Sequence, residues 1–83
     1  MLRLRLVVRY HIQYEDEALG LARRLFARFD EAIDSLVLMP VAEDDFALAL
    51  NGRLLQSQRQ SGSAPRVADV VAACDAQRSP GQG

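Results

Sequence analysis

The dipeptide Asn51-Gly52 constrains this chain more than any other feature. A two-residue type I′ turn needs positive φ at both central positions, and Asn-Gly meets that need at low steric cost. It stands between Phe46-Ala47-Leu48-Ala49-Leu50 and Arg53-Leu54-Leu55-Gln56-Ser57, two runs of strand character. A β-hairpin over residues 46–57 follows. A lone hairpin is marginal in water, so the rest of the chain must supply further strands and a covering layer.

The remaining elements read in order. Arg3-Leu4-Arg5-Leu6-Val7-Val8-Arg9-Tyr10 alternates as a strand does, with Leu4, Leu6, Val8 and Tyr10 facing one way and Arg3, Arg5, Val7 and Arg9 the other. Glu15, Asp16 and Glu17 favour a helix N-terminus through the macrodipole. Ala18, Leu21, Ala22, Leu25, Phe26 and Phe29 then recur at three- and four-residue steps, an amphipathic stripe with Arg23, Arg24 and Arg28 off it. Leu36-Val37-Leu38-Met39, stopped by Pro40, predicts a buried strand of the kind found in the middle of a parallel pair. Residues 41–45 form an acidic loop, and residues 58–63 read as a polar loop. Pro65 suits the first turn of a second helix, whose apolar stripe is Val67, Val70, Val71 and Cys74. The order is β-α-β-β-β-α. Strands one and two are expected to be parallel, with a right-handed crossover.

Composition sets bounds on function. With 83 residues the chain is one domain, near the lower limit for a self-sufficient core. The expected division is a folded unit over residues 1–77 and a disordered Pro/Gly/Gln-rich tail over 78–83. The formal net charge of −1 argues against nucleic-acid binding, which requires a basic excess to displace counterions. All 10 basic residues are Arg, a bias expected of a GC-rich bacterial genome. No apolar run approaches the roughly 20 residues that span a bilayer, and the Arg-interrupted start is not that of a signal peptide. A cytoplasmic location is the expectation. The single cysteine, Cys74, excludes a disulfide framework, a Cys-rich metal site and dithiol chemistry within one chain.

Taken in order, Tyr10-His11-Ile12-Gln13-Tyr14, Phe46, Asn51-Gly52 followed by Leu54, Ser57, and Gly62-Ser63-Ala64-Pro65 resemble the pattern of the selenoprotein W-like (Rdx) proteins. The resemblance runs from about Leu4 to Ala76. It implies a thioredoxin-like β-α-β-β-β-α fold, with a four-stranded mixed sheet and two helices on one face. It also implies that the family's two cysteine or selenocysteine positions fall on His11 and Tyr14, and a frequent Gly pair on Asp44 and Asp45. A thiolate at a helix N-terminus attacks, and a second thiol resolves the mixed disulfide. An imidazole and a phenol do neither, so the resemblance carries the fold without the redox activity.

The candidate site residues are therefore His11 and Tyr14 for any chemistry, and Tyr10, His11, Gln13, Tyr14, Arg5 and Arg9 for contact with a partner. His11 at a strand-to-helix junction is a base or ligand in one reading and a polar junction residue in the other. Tyr14 is a hydrogen-bond donor or a half-buried aromatic at the helix start. Glu15, Asp16 and Glu17 belong to the helix start, because adjacent helical residues do not face one another. Cys74, on an apolar stripe, is expected to pack as a small hydrophobe. If both helices cover one sheet face, the other carries Arg3, Arg5 and Arg9. It also carries an alternate set from strand two, either Leu36 and Leu38 or Val37 and Met39. The expected function is a non-redox binding or accessory domain, or a homodimer, working through residues 10–15 and the open sheet face, without cofactor or metal. The alternatives are redox work through Cys74 or a partner's thiols, and an enzyme or ligand-binding domain built on His11.

Overall fold

In a computed structural model, which describes residues 3–78, the elements are β1 (Leu4–Tyr10), α1 (Glu15–Phe29), β2 (Ile33–Pro40), β3 (Phe46–Leu50), β4 (Arg53–Ser57), a single helical turn α2 (Gln58–Ser61) and α3 (Val67–Arg78). They form a four-stranded sheet in the order β2-β1-β3-β4. β2 runs parallel to β1, and the other two pairs are antiparallel. The hairpin turn has φ of 52° at Asn51 and 84° at Gly52, as a type I′ turn requires. Asn51 also ties the turn to β1. Its N–H donates to the Arg5 carbonyl and its Oδ1 accepts from the Arg5 N–H, each at 2.8 Å.

Register places the core. Leu6 pairs with Leu50, Val8 with Leu48 and Tyr10 with Phe46, so these six side chains share one face of the sheet. Ala18, Leu21, Leu25 and Phe29 of α1 and Val70 and Cys74 of α3 join them in one buried cluster. Each buried Leu, Val or Phe contributes about 1.5–3 kcal/mol relative to exposure. Both long helices therefore cover the same face. Along β1 the residues of odd number point to the other face, as the alternation predicts.

The structure departs from expectation at several points. β2 is not an interior strand but an edge. It has one neighbour, Val37 and Met39 are 44% and 43% exposed, and Leu36 and Leu38 are only partly buried. A continuous apolar run suits a strand covered on both faces; here the open face and the missing neighbour leave it half uncovered. Pro40, as the last residue of an edge strand, interrupts no ladder. Phe26 lies off the buried stripe and is 49% exposed, because the buried face of α1 centres on Ala18, Ala22, Leu25 and Phe29. Residues 58–61 are helical rather than loop, and Pro65 precedes α3 by two residues instead of opening it. α3 extends through Arg78, and the rest of the expected tail lies outside the described residues. One sharp reversal had no sequence signal: Asp30, after α1, holds φ 41° and ψ −108°.

Candidate functional site

β1 ends at Tyr10, and the chain turns through one 3₁₀ turn, Ile12–Tyr14, before α1 begins. His11 caps this turn. Its Nδ1 accepts the Gln13 N–H at 3.2 Å, its carbonyl accepts the Tyr14 N–H at 2.8 Å, and its own N–H donates to the Asp45 carbonyl at 2.9 Å. An accepting Nδ1 places the ring proton of a neutral imidazole on Nε2. Tyr10, expected at the contact surface, is instead buried in the core at the end of β1.

The acidic loop over residues 41–45 holds the turn from the other side. Asp44 Oδ1 accepts from Gln13 Nε2 at 2.6 Å and from the Tyr14 hydroxyl at 3.0 Å. The Tyr14 ring stacks on Phe46 with centroids 5.8 Å apart. The bond to Asp44 raises the Tyr14 pKa above its ordinary value of 10.0, since a phenolate could not donate to the carboxylate; partial burial and the Asp44 charge act the same way. The Gln58 side chain also reaches this hydroxyl, and its Oε1 is buried with no hydrogen-bond partner among the described residues.

Asp45 is the hub next door. Its Oδ1 accepts from the N–H of Phe46 at 2.8 Å, the hydroxyl of Ser57 at 3.1 Å and the N–H of Arg59 at 3.1 Å. One carboxylate thus links the starts of β3 and α2 with the end of β4. Glu43 pairs with Arg59 at 3.1 Å. In the sequence Asp44 and Asp45 stood out as part of an acidic loop and as replacements for a Gly pair, not as site residues. The signal that could have found them is Glu43-Asp44-Asp45 set immediately before the Phe-led strand, where carboxylates meet the free N–H groups at strand and helix ends.

Among the described residues no three His, Cys, Asp or Glu side chains are placed to hold a metal ion. Cys74 is fully buried, and burial pushes its thiol up to about 11, with Asp75 adding to the shift. Such a thiol is almost wholly protonated at neutral pH and does not attack. A cleft of about 490 Å³ lies beside β4 and not at His11, between Leu54, Gln56, Ser61, Arg66 and Asp69.

The open sheet face carries the expected arginines in two environments. Arg3 and Arg5 both pair with Asp34 at 3.3 Å, made possible by an irregularity in which β2 advances from Ile33 to Ser35 while β1 advances from Leu4 to Arg5. Arg9 is exposed beside Met39 and Ala47. Between Arg5 and Arg9 an apolar row crosses all four strands: Val37, Val7, Ala49 and Leu54. Of the two alternate sets in β2, Val37 and Met39 are the open-face pair, while Leu36 and Leu38 face the helices.

A parallel β-α-β unit followed by an antiparallel hairpin and a final helix, with both long helices on one face, is a thioredoxin-like arrangement. Solved structures specify it further. A selenoprotein W-related protein from Vibrio cholerae superposes with a TM-score of 0.76 over 82% of this chain and 88% of its own, at 21% identity. A protein from Bordetella parapertussis superposes with a TM-score of 0.74 over 81% and 87%, at 22% identity. The chain therefore has the fold of selenoprotein W-related proteins. No family model and no curated protein matches its sequence. No helix among the described residues is long and apolar enough to cross a membrane.

Proposed function

We propose that this chain is a non-redox binding domain of selenoprotein W-like fold. In this reading it works in the cytoplasm and contacts a protein partner or a second copy through the turn at residues 11–14 and the open face around Arg5 and Arg9. The observation that carries the reading is the state of the positions where the resemblance puts two cysteines. His11 and Tyr14 stand there, and each is engaged in holding the turn: Nδ1 on Gln13, the hydroxyl on Asp44. Gln13, exposed beside them, and the apolar row rimmed by Arg5 and Arg9 present the contact chemistry. Aromatic and Arg side chains around an apolar patch are what protein interfaces favour. The alternative through Cys74 loses support from the burial and high pKa of its thiol. The alternative through His11 is weakened by the engagement of Nδ1 with the backbone.

The test is capture of partners from the host's lysate by the tagged domain, with and without reductant. A protein recovered in both conditions, and lost for a folded Gln13→Ala, Tyr14→Ala double variant, supports binding through the turn. A partner held only without reductant overturns the non-redox reading.

A further inference from the structure

Six large hydrophobic side chains are exposed among the described residues: Ile12, Leu19, Phe26, Val37, Met39 and Leu54. Four of them, Leu19, Phe26, Val37 and Met39, lie on α1 and β2. Val37 and Met39 belong to β2 itself. Leu19 and Phe26 lie seven residues, close to two full turns, apart on α1, so the two share one line down the helix. The side of that line follows from Arg28. It sits nine residues, or two and a half turns, beyond Leu19, and it pairs with Asp75 of α3 at 3.1 Å. That side of α1 faces α3, so the line of Leu19 and Phe26 faces away from it. α3 lies toward β4, where Asp69 accepts from Gln56. The line therefore overhangs β2.

Soluble proteins blunt an edge strand with charge, Pro or a cover. β2 has Pro40 only at its end, and between Ser35 and Met39 it carries no charge while its outer edge stays unpaired among the described residues.

We propose that β2 pairs antiparallel with β2 of a second copy of this chain, with α1 packed against its own copy on the same face. Symmetry and charge favour a second copy over an unrelated strand. About a two-fold axis beside Leu19, Leu19 meets itself. Glu15 and Arg23 flank the line four residues before and after Leu19, so each Glu15 faces the other copy's Arg23. The acidic start of α1 thus meets the basic half of its copy at both ends. Spacing agrees. α1 spans β1 and β2, and strands lie about 4.8 Å apart, so the two α1 helices would stand about 10 Å apart, within the usual packing distance. Leu19 is four residues into α1, about 6 Å, which is level with about Leu38 in β2. The surface meets the open face assigned above at Val37 and Met39, but Glu15, Leu19 and Arg23 lie outside that face and outside the turn, so each reading fails on its own variants.

The test is sedimentation equilibrium of the full chain at concentrations to about 100 μM, with circular dichroism on every variant. The expected result is a dimer of twice the 9.2 kDa chain mass. Leu19→Lys, which sets two cations together at the axis, weakens it by at least about a hundredfold. Glu15→Arg weakens it by about tenfold through like charges at two places, and Glu15→Arg combined with Arg23→Glu restores it. Arg53→Ala on the opposite edge leaves it unchanged. A monomer at every concentration overturns the proposal. So does a dimer indifferent to Leu19→Lys, or one that the double charge exchange fails to restore.

Discussion

The layer between sheet and helices and the turn at residues 11–14 are held by different physics. The layer is apolar and continuous, from Leu4 through Phe46 to Val70, and its cohesion comes from area removed from water. Such cohesion is non-directional, and it tolerates any set of side chains of the right volume and pattern. The turn is held by the Asp44 carboxylate and the Asp45 carbonyl, while the Asp45 carboxylate ties the strand ends beside it, and these bonds need particular atoms at particular distances. Change in the first region spreads through the whole domain, whereas change in the second releases a few named contacts. The side chains of the turn can therefore vary without loss of the fold, provided something positions the strand ends. Here Asp45 does that.

The largest contrast comes from Val70→Asp. An unpaired carboxylate at a buried position costs about 4 kcal/mol or more, comparable to the whole stability of so small a domain. Loss of the cooperative thermal transition is expected, and an intact transition would remove α3 from the core. Asp45→Ala comes next. It strips three donors of a charged acceptor and is expected to lower the urea-unfolding free energy by about 2–3 kcal/mol, leaving a folded domain.

Cys74 tests the apolar layer by pH. Its thiol is raised from 9.0 to about 11 in the folded state, so the native protein keeps a proton that the unfolded chain loses. Stability from this group is full below pH 9 and falls as pH rises toward 11, by about 2–3 kcal/mol. Tyr14 adds a decline of the same sign above its ordinary value. Cys74→Ala should flatten the part of the curve between pH 9 and 11, and a thiol reagent should modify native Cys74 far more slowly than the unfolded chain. Equal rates would place the thiol outside the core.

Asp44→Ala should act locally. Tyr14 then titrates closer to 10, as read from phenolate absorbance, while the thermal midpoint moves less than for Asp45→Ala. An unmoved titration would mean that Asp44 does not hold the hydroxyl. The smallest effect is a gain. Asp30 holds a positive φ that glycine adopts without strain, so Asp30→Gly is expected to stabilise by about 0.5–1 kcal/mol. A fall in stability would show that the Asp30 side chain makes a contact worth more than the strain.

Particular residues show how far the sequence could be read. The Asn51-Gly52 turn, the in–out alternation of β1 and the inward stripe of Val67, Val70, Val71 and Cys74 were legible because turn chemistry and periodicity are local. The direction of Leu36 and Leu38 against Val37 and Met39 was open until register with β1 decided it. The edge position of β2 was invisible, since an apolar run reads alike whether one neighbour or two lie beside it. The engagement of Tyr14 by Asp44, separated by thirty residues, had no local trace.

The order of the four strands and two long helices, the inward face of β1 and the single cysteine were thus readable from the chain alone. These follow from what each residue is and from its nearest neighbours along the chain. Only the tertiary structure decided that β2 lies at an edge, that Phe26 joins Leu19 outside the core, and that Asp44 and Asp45 clamp the turn. Each of those depends on which distant segment lies alongside, and that is set by how the whole sheet and its two long helices fit together.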